Sequence, residues 1–320
     1  MCFLNQENVS FTYKFGYFAP SSYLCITISE HFTMTYEQFW HPLQKRYDTG
    51  EARAVARYVL ETAFGLTMTD VVCGAVERLS AAEQQQLTDI QARLLAGEPV
   101  QYVVGLADFG PRQFRVAPGV LIPRPETYEL CQWVVEACGA KSKESAARVL
   151  DIGTGSGCIA CTLAADMPQA QVTACDISPI ALRVASDNAQ QLGVDITFKE
   201  VDILSVPCSP PFGEVGGAWD LIVSNPPYIC QQEAVGMEPH VLGHEPHLAL
   251  FVPDDNPLLY YRAIAHFARH ALHHGGMLFF EINPLYVDEM RLMMAEQEFK
   301  DVEVRKDQFG NWRMMKGIKE

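Results

Sequence analysis

The chain is poor in basic residues. Its 320 residues carry 24 Lys and Arg against 39 Asp and Glu, a formal net charge of −15 at pH 7. Nucleic-acid binders use Lys and Arg to displace counterions from phosphates, so this balance argues against DNA or RNA as the main partner. No apolar run approaches the roughly 18 to 20 residues of a membrane span, and no membrane partner is expected. The first residues lack the basic start and apolar centre of a secretory signal, and the Arg-rich face of a transit peptide. Zinc chemistry finds little support. Cys158 and Cys161 form one CxxC with no second cysteine pair to complete it, and His240, His244 and His247 cluster without a carboxylate pattern. No metal is expected. The ten cysteines are scattered, mostly in apolar surroundings, which reads as reduced, buried thiols in a cytoplasmic protein. Nothing demands more than a monomer.

Residues 1–33 are polar and aromatic, with no clear period. Met34 then precedes Thr35-Tyr36-Glu37-Gln38, a helix start with Thr35 as its cap. Met34 is therefore expected to be the natural start and residues 1–33 a disordered extension; N-terminal sequencing of the native protein decides this. Over residues 34–99 Ala, Leu, Gln, Glu and Arg dominate, with apolar residues at helical spacing. This predicts a small helical bundle that carries no catalytic constellation, hence a substrate-docking domain. Gly97-Glu98-Pro99 ends it. Alternation across 100–122, broken at Gly110-Pro111, predicts a β-hairpin linker. A helix is predicted from about residue 126 to 139.

From residue 147 onward strands and helices alternate. Short apolar strands fall at 148–151, 171–176, 196–199, 221–224, 277–281 and 302–304. The pattern predicts an α/β domain over 123–320, a doubly wound, Rossmann-like and mostly parallel sheet that binds ligands at the carboxyl ends of its strands. The strand ending at Asp151 runs into Ile152-Gly153-Thr154-Gly155-Ser156-Gly157 and a helix. Glycines there let the backbone turn sharply and approach a ligand. The next strand ends in Asp176, 19 residues after Gly157, where a carboxylate can accept both hydrogen bonds of a ribose diol. The third ends near Val201-Asp202-Ile203, suited to an adenine amino group. Gly-x-Gly-x-Gly departs from the dinucleotide spacing Gly-x-Gly-x-x-Gly, and three acidic strand ends in order favour S-adenosylmethionine. Taken singly, each aspartate reads as a helix cap or turn former sooner than as a ligand group.

The fourth strand ends in Ser224-Asn225-Pro226-Pro227-Tyr228-Ile229. A planar amide or exocyclic amine is a poor nucleophile because its lone pair is delocalised. Two acceptors that bind its N–H groups hold the nitrogen in place and favour charge build-up during attack. Asn225 offers a side-chain carbonyl and Pro226 a backbone carbonyl. Pro226 and Pro227 stiffen the backbone and remove competing N–H groups, and Tyr228 offers an aromatic face to a planar substrate group. The plain alternative is a Pro-rich turn with Asn225 satisfied locally. No His, Cys, Asp or Glu stands out as a general base, and an amide nitrogen that loses its proton after methyl transfer needs none. Trp133 and Trp312 read as packing residues. Arg124 and Glu126 read equally as an ion pair near the cofactor or as substrate contacts.

The chain resembles the release-factor glutamine methyltransferases, the HemK/PrmC family of protein-(glutamine-N5) methyltransferases. The likeness runs over about residues 95–316, with a looser fit in the helical region from Met34. It is carried by Gly97-Glu98-Pro99-Val100-Gln101-Tyr102, Leu121-Ile122-Pro123-Arg124-Pro125-Glu126-Thr127, the glycine loop, Asn225-Pro226-Pro227-Tyr228-Ile229, Glu245-Pro246 with Ala249-Leu250, and Glu281. Tyr128 stands where the family usually has Glu, and Ile203 where it is often aromatic. The resemblance implies a class I methyltransferase fold with a small N-terminal helical bundle joined by a β-hairpin. It implies that residues 153–157 and Asp176 hold S-adenosylmethionine, with Asp202 and Ile203 bordering the adenine. Asn225 would touch both cofactor and substrate, and Pro226, Pro227 and Tyr228 would complete a glutamine site. The implied substrate is the glutamine of the Gly-Gly-Gln motif in peptide chain release factors, docked partly through the helical domain. Two rival readings are a DNA or RNA exocyclic-amine methyltransferase and a non-catalytic adaptor that binds adenosylmethionine or a release factor.

Overall fold

The computed structural model describes residues 33–139, 146–205 and 219–320. Apart from Thr33, the expected N-terminal extension lies outside the described residues. The chain divides into two compact units, with the break between Ala92 and Arg93.

The first unit is helical. Its first helix, α1 (Tyr36–Trp40), opens on a capping box. Thr35 Oγ1 accepts from the Gln38 N–H at 3.2 Å and the Gln38 side chain accepts from the Thr35 N–H at 2.9 Å, so two backbone N–H groups that the helix leaves unpaired each find a side-chain acceptor. Asp48 caps α2 (Thr49–Phe64) and Thr67 caps α3 (Met68–Val72). Ser80 and Glu83 exchange bonds at the start of α4 (Ala81–Ala96), which runs past the break. Phe39, Leu43, Ala56, Val59, Leu60 and Leu87 form the buried centre. Gln84 is buried among them and fully engaged. It donates to the Val76 carbonyl at 2.6 Å and accepts from the Met34 N–H at 2.8 Å, which removes the cost of burying its amide.

The second unit opens with α5 (Val100–Val104), set between Pro99 and Gly105. Residues 100–104 are thus helical, and the hairpin is shorter than the sequence suggested. It comprises β1 (Leu106–Phe109) and β2 (Arg112–Arg115), paired antiparallel. Gly110 turns it at φ 57°, and a Cβ there would lie 2.4 Å from the Tyr128 ring. Tyr128 in turn meets Phe109 edge-on at 5.5 Å. The aromatic that replaces the family's usual Glu therefore fills the space against the hairpin turn.

The chain continues through α6 (Pro125–Cys138), β3 (Arg148–Ile152), α7 (Cys158–Asp166), β4 (Gln171–Asp176), α8 (Pro179–Leu192) and β5 (Ile196–Glu200). After β6 (Trp219–Ser224) come β7 (Ile229–Cys230), α9 (Pro239–His244), α10 (His247–Leu250) and β8 (Phe251–Val252). The last elements are α11 (Leu259–Ala271), β9 (Leu272–Glu281), α12 (Val287–Glu296), β10 (Phe299–Lys306) and β11 (Trp312–Lys319). Seven strands form one sheet in the order β10-β11-β9-β6-β3-β4-β5. From β9 to β5 the neighbours are parallel, and β11 runs antiparallel to both β9 and β10.

Alternation along each strand sends side chains to two cores. Val149, Leu221, Val223 and Phe279 face Leu130, Trp133, Ile159 and Leu163 of α6 and α7. Leu150, Ile152, Ile222, Leu278 and Phe280 face Tyr261, Ile264, Met290 and Met294 of α11 and α12. Each such apolar side chain taken from water contributes about 1.5–3 kcal/mol. The CxxC cysteines, Cys158 and Cys161, are buried on α7 within the first core. Among the parallel strands, chain order runs outward in both directions from the adjacent pair β3 and β6, to β4 and β5 on one side and to β9 on the other, which opens a crevice at their carboxyl ends.

Candidate active site

The glycine loop follows β3 at that crevice. Gly153, Gly155 and Gly157 all have positive φ, at 75°, 55° and 78°, but they serve different ends. A Cβ on Gly153 or Gly155 would meet nothing within 4 Å, whereas one on Gly157 would lie 2.9 Å from Ala185 Cβ on α8. The first two hold space open, and the third lets α7 pack against α8. Gly157 is not among the residues that line the cavity, and the contact it makes is with α8. The loop is tied down from three sides. The Gly153 and Thr154 N–H groups donate to the Cys175 carbonyl, and the Gly155 N–H donates to Asp176 Oδ2 at 2.9 Å. Buried Asn188 donates to the Ser156 carbonyl at 2.8 Å and exchanges two bonds with the Arg115 backbone. A lone Asn inside a helix gave no sign of this clamp in the sequence.

Asp151 is the loop's innermost anchor. Its Oδ2 accepts from Thr154 Oγ1 at 2.6 Å and from the Ala160 N–H at 3.2 Å, while Oδ1 has no hydrogen-bond partner. Burial pushes its carboxyl up to about 7, with the two donors opposing and Asp176 adding to the rise. A folded-state pKa above the ordinary value of 3.8 means that the native state holds the proton more tightly. Stability from this group is complete below that ordinary value, declines as pH rises and levels off above about 7. Asp151→Asn keeps an acceptor for Thr154 and Ala160 and cannot ionise. Urea unfolding at pH 5 and pH 8 should therefore show the wild type losing stability, relative to the variant, by something of the order of a few kcal/mol. Parallel losses in the two proteins would contradict this reading of Asp151.

One cavity of about 310 Å³ gathers the strand ends. It is lined by Gly153, Thr154, Gly155 and Ser156, by Asp176, by Asp202 and Ile203, and by Asn225, Pro226 and Pro227. The three acidic strand ends and the Pro-rich tetrapeptide thus share one space. Asp176 accepts from the Gly155 and Ser178 N–H groups, each at 2.9 Å. Burial raises its carboxyl and those N–H groups oppose the rise. Asp202 accepts from the Leu204 N–H at 3.0 Å and from the Ser205 hydroxyl at 2.6 Å, so it is also a turn former. A carboxylate has about four acceptor positions, and each aspartate keeps capacity for a ligand.

Asn225 follows β6 directly, and its Nδ2 donates to Thr127 Oγ1 at 3.2 Å. Among the described residues no donor is directed at Asn225 Oδ1 or at the Pro226 carbonyl. Tyr228 is half-buried three residues beyond Asn225. It does not line the cavity, and its hydroxyl donates to Glu281 Oε1 at 3.0 Å. Burial pushes its phenol up, with the Glu281 charge adding to the rise.

Arg124 pairs with Glu245, not with Glu126. Its Nη2 lies 2.5 Å from Glu245 Oε1, and Glu245 Oε2 accepts from the Ile122 N–H at 3.2 Å. The Glu245 side chain is fully buried while that of Arg124 is 35% exposed. Loss of the cation strands a buried carboxylate, whereas loss of the carboxylate leaves a cation that water reaches. Arg124→Met is thus expected to cost about 3–5 kcal/mol of unfolding free energy and Glu245→Gln clearly less, measured by urea titration at neutral pH. Equal costs would contradict the asymmetry.

His240, His244 and His247 do not converge with any other candidate ligands; among the described residues no group of three His, Cys, Asp or Glu side chains is arranged to hold a metal ion. Trp133 is buried, with Arg305 over its ring at 4.5 Å. Trp312 is 40% exposed beneath Lys306, so it is a surface contact and not a core residue.

Two family models match the chain, a PrmC N-terminal domain over residues 37–105 and a methyltransferase small domain over residues 138–240. A release factor glutamine methyltransferase of Bacteroides thetaiotaomicron is 45% identical over 273 residues, 85% of this chain and 95% of that protein. The chain belongs to the release factor glutamine methyltransferase family. Another member of this family, from Flavobacterium psychrophilum, is 38% identical over 279 residues, 87% of this chain and 96% of its own length. A crystal structure titled protein-(glutamine-N5) methyltransferase (release factor-specific), from Alicyclobacillus acidocaldarius, is 29% identical and covers 65% of this chain and 99% of its own, with a TM-score of 0.38.

The cavity of this release factor glutamine methyltransferase family member fits S-adenosylmethionine. Gly153 and Gly155 keep clear the space that side chains would fill, and Asp176 and Asp202 retain free acceptor positions. Ile203 is aliphatic, but Tyr260 of α11 lines the same cavity, and burial with the nearby Asp202 charge raises its phenol. An aromatic ring is therefore available from a different element. The sequence reading missed Tyr260 because it lies within an amphipathic helix whose apolar residues all read as core.

Proposed function

We propose that this chain transfers a methyl group from S-adenosylmethionine to the side-chain amide nitrogen (N5) of the glutamine in the Gly-Gly-Gln motif of peptide chain release factors. One observation carries the reading. The Asn225 side chain and the Pro226 backbone line the cavity that also holds the glycine loop and Asp176, and their carbonyls are not taken by the protein's own donors among the described residues. When bound, S-adenosylmethionine supplies a methyl group made electrophilic by its sulfonium. Asn225 Oδ1 and the Pro226 carbonyl accept the two N–H groups of the glutamine carboxamide. That fixes the nitrogen for in-line attack and favours the positive charge it gains. The carbon–nitrogen bond forms as the carbon–sulfur bond breaks, and the nitrogen then releases one proton to solvent.

The helical residues 34–99 serve to dock the release factor, a task that their lack of any catalytic constellation allows. The enzyme acts as a monomer in the cytoplasm, where release factors work, and takes neither nucleic acid nor membrane as a partner. Incubation with labelled S-adenosylmethionine and, separately, purified release factor, DNA or RNA at low salt tests these points. Label is expected in the release factor and not in nucleic acid. Label in DNA or RNA would support the exocyclic-amine rival, and no transfer at all would support the adaptor.

A further inference from the structure

Asn225 has two faces of opposite polarity, and only one can serve the proposed reaction. Its Oδ1 accepts a substrate N–H, whereas its Nδ2 would set donor against donor. Something must decide which face meets the cavity.

We propose that Thr127 and Glu281 are positioning residues that fix the Asn225 amide with its oxygen toward the substrate. The proposal rests on the reading of Asn225 as the substrate's acceptor. Three side chains from separate elements form one chain of bonds. Asn225 Nδ2, after β6, donates to Thr127 Oγ1 at 3.2 Å. Thr127, in the first turn of α6, donates to Glu281 Oε2 at 2.6 Å. Glu281, the last residue of β9, also accepts the Tyr228 hydroxyl on Oε1 at 3.0 Å. Thr127 is 3% exposed and Glu281 2%, so water does not compete for these bonds.

The direction of the chain follows from proton counting. An ionised carboxylate only accepts, and a hydroxyl has one proton. With the single Thr127 proton committed to Glu281, the Thr127 oxygen can only accept. The Asn225 group facing it must then be the NH2, and Oδ1 is left toward the cavity. Burial, with the Glu126 charge, raises the Glu281 carboxyl, and the Thr127 and Tyr228 hydroxyls and the Arg313 guanidinium hold that rise back; with a hydroxyl proton directed at each of its two oxygens, the ionised form is the one these bonds fit. The same arrangement accounts for Tyr228 lying off the cavity wall, since it holds the second carboxylate oxygen.

Three variants test this on the release-factor reaction: Thr127→Val, Thr127→Ser and Glu281→Gln. Valine keeps the shape of threonine and loses the hydroxyl. Glutamine keeps the shape of glutamate but can donate to Thr127, which permits the reversed chain and a flipped Asn225. Thr127→Val and Glu281→Gln are each expected to lower kcat about 100-fold, with the KM for release factor and the Kd for S-adenosylmethionine within a few-fold of wild type. Thr127→Ser restores the hydroxyl and should recover most of the kcat lost in Thr127→Val. Wild-type kcat in Thr127→Val or Glu281→Gln would overturn the proposal. So would a Thr127→Ser loss as deep as that of Thr127→Val, because restoring the hydroxyl would then restore nothing. If Thr127→Val fails to fold, Glu281→Gln decides alone. Asn225→Ala run alongside separates the two claims. If Asn225→Ala is inactive while Thr127→Val is not, only the positioning role falls; if Asn225→Ala is active, the amide clamp itself falls.

Discussion

Gly155→Val is expected to lower the affinity for S-adenosylmethionine by at least about 100-fold, equivalent to roughly 2.7 kcal/mol, while the protein still folds. Gly155 lines the cavity, sits at φ 55°, and a Cβ placed on it meets no protein atom within 4 Å. The valine methyls would therefore enter ligand space without colliding with the fold. The left-handed backbone costs a β-branched residue about 1–2 kcal/mol, which the domain can bear. Gly157→Ala makes the contrast. Its Cβ would lie 2.9 Å from Ala185 Cβ, so it should lower the melting temperature and affect cofactor binding mainly through that loss. Calorimetric titration and thermal melting of the two variants read both quantities. Wild-type affinity in Gly155→Val would remove the glycine loop from the cofactor site.

Asn225→Ala is expected to reduce turnover on release factor by about 100- to 1000-fold, the range seen when one preorganised hydrogen-bonding group is taken from a reacting centre. Alanine removes the acceptor and leaves the Pro226 carbonyl alone, so the carboxamide is held at one point and can rotate. The cofactor loses little, because the glycine loop, Asp176 and Asp202 remain. The loss should thus fall on kcat, with S-adenosylmethionine affinity within several-fold of wild type.

Much of the second unit was legible because its strands are short apolar runs with turn signals between them, and every strand end that carries chemistry is marked by an acid, a glycine or a proline. Asp151, Asp176 and Asp202 follow one another across adjacent strand ends, and Asn225, last in the chain, falls beside Asp151 because β6 pairs with β3; all four gather at one edge only because the sheet is parallel there. The strand Trp312–Lys319 was not legible. Its Arg-Met-Met-Lys-Gly-Ile-Lys lacks a clear alternation, and it is a strand because β9 and β10 both pair with it. Residues 100–104 were misread for a related reason. Val100-Gln101-Tyr102-Val103-Val104 has strand composition, yet Pro99 and Gly105 bound a single helical turn.

Within the site, sequence position named the groups that face the ligand and not those that hold them. Asn188, Glu245 and Thr127 act across separations of 32, 121 and 98 residues, which no local pattern reveals. Tyr228 and Gly157 belong to motifs that touch the cavity, and each also makes a contact that the motif did not announce, one with Glu281 and the other with Ala185. Arg124 carried a charge whose partner lies more than a hundred residues away in Glu245, so the pairing with nearby Glu126, one of two readings the sequence left open, is not the one formed.

The central claim is that two carbonyls at the end of β6 hold a glutamine carboxamide beside the methyl donor. Tandem mass spectrometry of release factor after reaction with S-adenosylmethionine and either wild-type enzyme or Asn225→Ala tests it most directly. A single methyl on the side-chain nitrogen of the Gly-Gly-Gln glutamine with the wild type, and almost none with the variant, is the expected result. A methyl on any other atom, or equal modification of that glutamine by both proteins, would contradict it.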